Sequence, residues 1–306
     1  MEVDVLIPVY RPDGKLTELL KRLKMQNYPI HRVILMNTEE KHFPTELTGI
    51  WDRVEVYHLA KEEFDHGGTR DRGVRMSTAD LVLCMTQDAM PADETLIEEL
   101  VKPFDDSEVW AAYARQLPNE DCREVEKYTR SFNYPEQSMV KTKEDLDRLG
   151  IKTFFCSNVC AAWRREKYLE LGGFVKHTIF NEDMILAGTM IKQGGKIAYC
   201  AKAKVIHSHN YSAFQQFHRN FDLAVSQTMY PEVFGGIRSE SEGIKLVKKS
   251  LSYCIKIGKP WLMIQVVTQS AGKLLGYKMG QRYRSLPMWL ILRCTMSPSF
   301  WRGGKA

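Results

Sequence analysis

The chain has 306 residues, 44% of them apolar and 26% charged, which suffices for one large α/β core or two modest ones and excludes a disordered chain. Seven scattered cysteines, odd in number and without a C-x2-C pair, exclude a disulfide framework and a structural zinc site. The net charge of +5 is unevenly spread: residues 243–306 hold twelve Lys or Arg and no Asp or Glu, so residues 1–242 sum to −7, an acidic body with a basic tail.

The opening Met1-Glu2-Val3-Asp4-Val5 has no basic stretch leading into an apolar one, which predicts no secretory signal and a cytoplasmic chain. Asp4 to Tyr10 reads as a buried strand, followed by the turn Arg11-Pro12-Asp13-Gly14 and a helix carrying Leu16, Leu19, Leu20 and Leu23 on one face. His31 to Met36, Val54 to Leu59 and Asp80 to Met85 are further strands, Asp93 to Phe104 an amphipathic helix, and Val109 to Ala114 another strand. Residues 118–153 are polar and predict a mobile loop or helix over the ligand edge. Order resumes with Asn158 to Trp163, helices at 165–171 and 182–193 that each end in a Gly-Gly pair, and strands at 197–200 and 203–206. Apolar strands alternating with helices predict a mostly parallel sheet covered on both faces, with ligands beyond the carboxyl ends of its strands.

Chemistry is therefore sought just after each strand. Thr86-Gln87-Asp88-Ala89 sets one carboxylate where an apolar strand meets solvent, a place suited to a hard cation and equally to a turn or helix cap. The segment Phe64-Asp65-His66-Gly67-Gly68-Thr69-Arg70-Asp71-Arg72-Gly73 combines glycines with cationic donors, as a phosphate or sugar site requires; a tight turn with a helix cap has the same composition. Glu182-Asp183 opens a helix, where acids also compensate the helix dipole. His207-Ser208-His209 follows a strand, where two imidazoles can converge.

Taken in this order, the segments resemble the inverting glycosyltransferases of family 2, in particular their bacterial rhamnosyltransferase-like branch. The matching pieces are Leu6-Ile7-Pro8-Val9-Tyr10, the Phe64 to Gly73 segment, Thr86 to Pro91, Leu171-Gly172-Gly173-Phe174 through Glu182-Asp183-Met184, and His207 to Ser212. The resemblance implies a GT-A fold, Rossmann-like, over residues 1–225, with a basic helical region at 226–306. It places Pro8, Val9, Tyr10, Asn37, Thr38 and Glu39 around the nucleotide, and His66, Gly67, Gly68, Arg70 and Gln87 near the nucleotide and sugar. Relatives carry Asp-x-Asp where this chain has Thr86-Gln87-Asp88, so Asp88, joined by His207, is the expected ligand set for Mg²⁺ or Mn²⁺. Asp183 is the implied base that deprotonates the acceptor hydroxyl, with Glu182 holding the loop or contacting the acceptor; Trp163 could offer an apolar platform to the acceptor sugar, but core packing is the ordinary role of such a Trp.

The implied reaction transfers rhamnose from its thymidine-diphosphate donor to a glycan or polyprenyl-diphosphate-linked acceptor. A uridine-diphosphate hexose or N-acetylhexosamine donor is the alternative; an inactive nucleotide-binding scaffold and an RNA-binding protein are remoter ones. The acidic body argues against nucleic acid. In the tail, Ile244, Val247, Leu251 and Ile255 form an apolar stripe among lysines, and the runs Trp261 to Ile264 and Pro287 to Leu292 are too short to span a bilayer. The tail therefore predicts attachment to the anionic inner face of the cell membrane, with packing on the enzyme or oligomerisation as its other use.

Overall fold

A computed structural model describes residues 1–237 and 240–302; residues 238–239 and 303–306 of the expected C-terminal region lie outside the described residues. In chain order the elements begin with β1 (Val3–Tyr10), α1 (Gly14–Lys24), β2 (Arg32–Thr38), β3 (Val54–Leu59), α2 (His66–Met76), β4 (Leu81–Met85), β5 (Met90–Pro91), α3 (Leu96–Val101) and β6 (Val109–Leu117). Next come α4 (Glu124–Asn133), β7 (Met139–Lys141), α5 (Leu146–Leu149), β8 (Cys160–Arg164), α6 (Arg165–Glu170), α7 (Glu182–Lys192) and β9 (Lys196–Ile206). The chain continues with α8 (Ala213–Met229), α9 (Pro231–Phe234), α10 (Glu240–Lys256), α11 (Leu262–Gln281), α12 (Met288–Cys294) and α13 (Pro298–Arg302). These form two compact units: residues 1–119, 134–176 and 182–207, and residues 120–133, 177–181 and 208 onward.

The first unit is built on one sheet in the order β3-β2-β1-β4-β8-β6-β9-β5, with β7 also on β9. β1 pairs in parallel with β2 and β4, β2 with β3, and β6 with β9, whereas β8 runs antiparallel to both β4 and β6. It follows that β1, β2, β3, β4, β6 and β9 all end at the same edge. The strands are buried on both faces, which is why they read as continuous apolar runs and not as alternating ones. α1 packs Leu16, Leu19, Leu20 and Leu23 into this core, its first turn capped by the Asp13 carboxylate, which accepts from the Lys15 N–H. The strands expected at 197–200 and 203–206 are one strand, β9, whose pairing with β6 shifts register at Ala114/Arg115.

The second unit is helical. α8 and α11 pack along a stripe of three glycines four residues apart: a Cβ at Gly272, Gly276 or Gly280 would meet the carbonyl oxygens of Ala213, Phe217 and Phe221 at 2.4, 2.1 and 2.3 Å. Only residues without side chains let the two backbones approach this closely. That packing draws α8 into the second unit, where the sequence had placed residues up to 225 with the first. α4 belongs here too: Val125 is buried with Cys254 and Val266, and Tyr128 stacks on Tyr253 with ring centroids 4.3 Å apart. The segment 118–153, expected as a mobile loop or helix, thus contains a helix with an apolar anchor.

The tail stripe is divided. Val247 and Leu251 pack into the Val125 cluster, while Ile244 and Ile255 are exposed. The large exposed apolar residues that remain lie chiefly on α11 and its approach, Trp261, Ile264, Val267, Leu274 and Leu275, and on α12, Met288 and Trp289. On α11 they recur at helical spacing away from the glycine stripe, so this helix is apolar on both sides.

Candidate active site

The shared edge of the sheet collects polar residues from five strand ends. After β1, the Tyr10 N–H donates to Gln87 Oε1 at 2.9 Å and the Gln87 amide returns a bond to Tyr10 O at 3.1 Å, tying the first strand to the turn after β4. After β2, Asn37 and Thr38 are buried, and Glu39 has a φ of 65°, a left-handed conformation that a non-glycine residue adopts at a cost. Among the described residues, Asn37 Oδ1, Thr38 Oγ1 and Glu39 Oε2 are buried and accept no hydrogen bond, although the Asn37 amide nitrogen lies 2.9 Å from His58 Nδ1. Glu39 Oε2 stands 4.0 Å from His42 Nε2, whereas Asn37 Oδ1 and Thr38 Oγ1 have no partner; two neighbouring buried oxygens left so are costly in a folded chain alone and suit a ligand rich in polar groups. Lys41 beside Glu39 holds its carboxyl below the usual range.

Gly67 and Gly68, read as part of a phosphate or sugar site or as a turn with a helix cap, sit in the first turn of α2, whose cap is the Asp65 side chain accepting from the Gly68 N–H at 2.6 Å. Gly67 is required there because a Cβ would stand 1.9 Å from Val175 O. One turn on, Arg70 is buried and pairs with Glu182 at 3.2 Å while donating to His66 O at 2.9 Å.

Glu182 and Asp183 open α7 but face different surroundings. Glu182 is buried and its Oε1 is shared between Arg70 and the Asn158 amide at 3.2 Å. Burial opposes its ionisation, yet Arg70, His66 and Asn158 together hold its pKa below the usual value. Both contacts fall on Oε1 and suit the holding role that the sequence left open for Glu182 beside contact with the acceptor. Asp183 accepts the Asn158 backbone N–H on Oδ2 at 3.0 Å and the Met184 N–H on Oδ1 at 2.7 Å. Burial first and the adjacent Glu182 charge second push its pKa up to about 7. A carboxylate poised there is able to take a proton from an alcohol and give it up again near neutrality.

Trp163, expected on the acceptor side, is fully buried in β8 and donates its indole N–H to Asn158 Oδ1 at 3.0 Å. A ring without exposed surface does not stack on a sugar, so of the two roles expected for Trp163 core packing holds and the sugar platform is corrected. Asn158 itself was missed, though it links Trp163, Glu182 and Asp183; a polar residue beside a strand start carries no distinctive sequence signal.

At the far end of the edge, Asp88 Oδ2 lies 3.6 Å from His207 Nε2. His207 is buried, its backbone N–H donates to Leu117 O, and its Nδ1 lies 3.2 Å from Gln116 Oε1. The sequence-predicted residues thus form three groups on one sheet edge: Tyr10 with Gln87, Arg70 with Glu182 beside Asp183, and Asp88 with His207.

Residues 4–172, more than half of the chain, match the family model described as glycosyl transferase family 2. Over 305 residues the chain is 37% identical to the O-antigen chain rhamnosyltransferase RfbN of Salmonella typhimurium strain LT2, covering 98% of this chain and 96% of that protein.

The chain belongs to glycosyltransferase family 2.

The enzyme is also 40% identical over 247 residues to the O-antigen chain rhamnosyltransferase WbaN of Salmonella anatum, covering 79% of this chain and 78% of the relative. Among solved structures it resembles a mannosyltransferase of Pyrobaculum calidifontis in complex with GDP-mannose and Mn²⁺, with a TM-score of 0.57 at 15% identity over 99% of this chain and 84% of that one. TarS residues 1–349 of S. aureus give a TM-score of 0.56 at 13% identity over 93% and 91%. At such identities the likeness concerns the fold, which is GT-A.

Proposed function

We propose that this glycosyltransferase moves rhamnose from thymidine-diphosphate rhamnose, with inversion, to a glycan or polyprenyl-diphosphate-linked acceptor in cell-surface polysaccharide synthesis. The rhamnosyltransferases it resembles, over 96% and 78% of their lengths, support the sugar and the setting. The observation that carries the mechanism is the Asp183 carboxyl, held by two backbone N–H groups and raised to about 7. The acceptor oxygen attacks the anomeric carbon, its bond to the nucleoside diphosphate breaks with the electron pair leaving on the phosphate, and the acceptor proton passes to Asp183. One displacement with one base inverts the anomeric centre. Glu182 sets the charge beside that base, with Arg70 and Asn158 holding Glu182 in place.

Asp88 and His207 fit a divalent cation. Two donors each about 2.1 Å from one ion stand roughly 3.0–3.5 Å apart at octahedral or tetrahedral angles, and these are 3.6 Å apart before any ion draws them in. Bound there, Mg²⁺ or Mn²⁺ would neutralise charge on the departing diphosphate. The unpaired oxygens of Asn37 and Thr38 would receive donors of the nucleoside, alongside Glu39, Pro8, Val9 and Tyr10.

Among the described residues no helix is long and apolar enough to cross a membrane. The exposed Trp261, Ile264, Leu274, Leu275 and Trp289, set among cations without a single acid after Glu242, suit peripheral attachment to the anionic inner face of the cell membrane. A second copy of the chain is the other candidate to cover them.

The test is calorimetric titration with thymidine and uridine diphosphates, with and without Mn²⁺, beside Asp88→Ala. Metal-dependent binding that prefers thymidine and is lost in the variant supports the proposal. A uridine preference moves the donor to a uridine-diphosphate hexose or N-acetylhexosamine, and no binding contradicts the reading as a whole.

A further inference from the structure

The buried side chains behind His207 and Asp183 meet at one residue that neither the sequence nor the chemistry above has used. Gln116, 4% exposed near the end of β6, lies between the two ends of the site. Its Oε1 is 3.2 Å from His207 Nδ1, and its Nε2 donates to Ser157 Oγ at 3.2 Å. Ser157 directly precedes Asn158, whose backbone N–H is donated to Asp183.

We propose that Gln116 is a positioning residue that fixes the tautomer of His207, keeping the proton on Nδ1 so that Nε2 presents a lone pair beside Asp88. An amide oxygen only accepts, so the ring nitrogen facing it carries the hydrogen, and the neutral ring then has its lone pair on the opposite nitrogen. That opposite nitrogen is the one 3.6 Å from Asp88 Oδ2. The reversed tautomer would turn an N–H toward Asp88 and leave no nitrogen ligand there. Imidazole ligands are commonly set in this way by an acceptor behind them. The anchor is rigid because Gln116 lies within β6, where it is aligned with Val205 of β9, the same strand that delivers His207. The bond to Ser157 extends it to the segment that holds Asp183, so one buried amide aligns both halves of the site.

This inference rests on the proposal that Asp88 and His207 hold a divalent cation, but its first test does not need the cation. Two-dimensional ¹H–¹⁵N spectra of the metal-free protein, at a pH where the ring is neutral, report which nitrogen of His207 carries the proton. Nδ1–H in the wild type, with loss of that preference in Gln116→Met, is the expected result. An Nε2–H ring in the wild type, or the same tautomer in both proteins, overturns it.

The second test is calorimetric titration of Mn²⁺ into protein saturated with thymidine or uridine diphosphate. Gln116→Met should weaken Mn²⁺ by roughly 10–100-fold, whereas Gln116→Glu, which keeps an acceptor facing Nδ1, should stay within about threefold of wild type. Equal Mn²⁺ affinity in wild type and Gln116→Met would refute the role toward the cation. Should the wild type bind no Mn²⁺ while the spectra show the expected tautomer, the metal reading fails and the tautomer assignment stands.

Discussion

Replacing Glu182 by Gln isolates the charge that sets the catalytic carboxylate. Asp183 sits at about 7 because burial and then the Glu182 charge penalise its ionised form. At an effective dielectric of about 20, like charges about 5–10 Å apart repel by roughly 1.7–3.3 kcal/mol, on the order of one to two pH units. The substitution also leaves the buried Arg70 without its carboxylate partner, and Arg70 already favours ionised Asp183. Both effects act in the same direction. The acid limb of the kcat/KM profile, expected near 7 in the wild type, should fall by about one to two units in Glu182→Gln. Initial rates of nucleoside diphosphate release from pH 4.5 to 9 give this limb directly. A limb that stays in place or rises would refute the assignment of Asp183 as the titrating base or of Glu182 as its neighbour.

Further outcomes follow from the same structure. Because the folded-state pKa of Asp183 is raised, the folded protein keeps a proton that the unfolded chain releases, so Asp183 costs stability as pH rises from about 4 through 7. Asp183→Asn should accordingly gain melting temperature over wild type above pH 7 and lose that advantage near pH 4. Gly276→Ala should destabilise the helical unit by about 1–3 kcal/mol in denaturant unfolding, since its Cβ would stand 2.1 Å from Phe217 O; an unchanged midpoint would contradict the close packing of α8 and α11. Ile264→Asp with Leu275→Asp should abolish co-sedimentation with anionic liposomes while leaving thermal unfolding unchanged, both residues being exposed. Retained sedimentation would remove α11 from the proposed membrane face.

The fold was readable because buried parallel strands leave unbroken apolar runs, as in Val5 to Ile7 and Leu81 to Met85, and because helix starts and stops carry Asp13 and the Gly-Gly pairs. The position of Asp88 after β4 and of Glu182-Asp183 at the start of α7 followed from the same punctuation. Burial was harder to read. Nothing in the order of residues shows that Glu182 is consumed by Arg70 and Asn158, or that Trp163 has no exposed surface, since both depend on contacts between distant segments. Gln116 was invisible for the same reason, its two partners lying 41 and 91 residues away. The glycines of α11 look like helix breakers until α8 is seen against them, and the stripe on α10 looks free until Val125 is seen beneath it.

The central claim is a single displacement assisted by Asp183. Its most direct measurement is NMR of the product formed from thymidine-diphosphate rhamnose and acceptor, run in parallel for the wild type and Asp183→Asn. A single displacement gives a glycoside of anomeric configuration opposite to that of the donor from the wild type, and no product from a variant that still binds the nucleotide. Retained configuration, or undiminished transfer by Asp183→Asn, would contradict it.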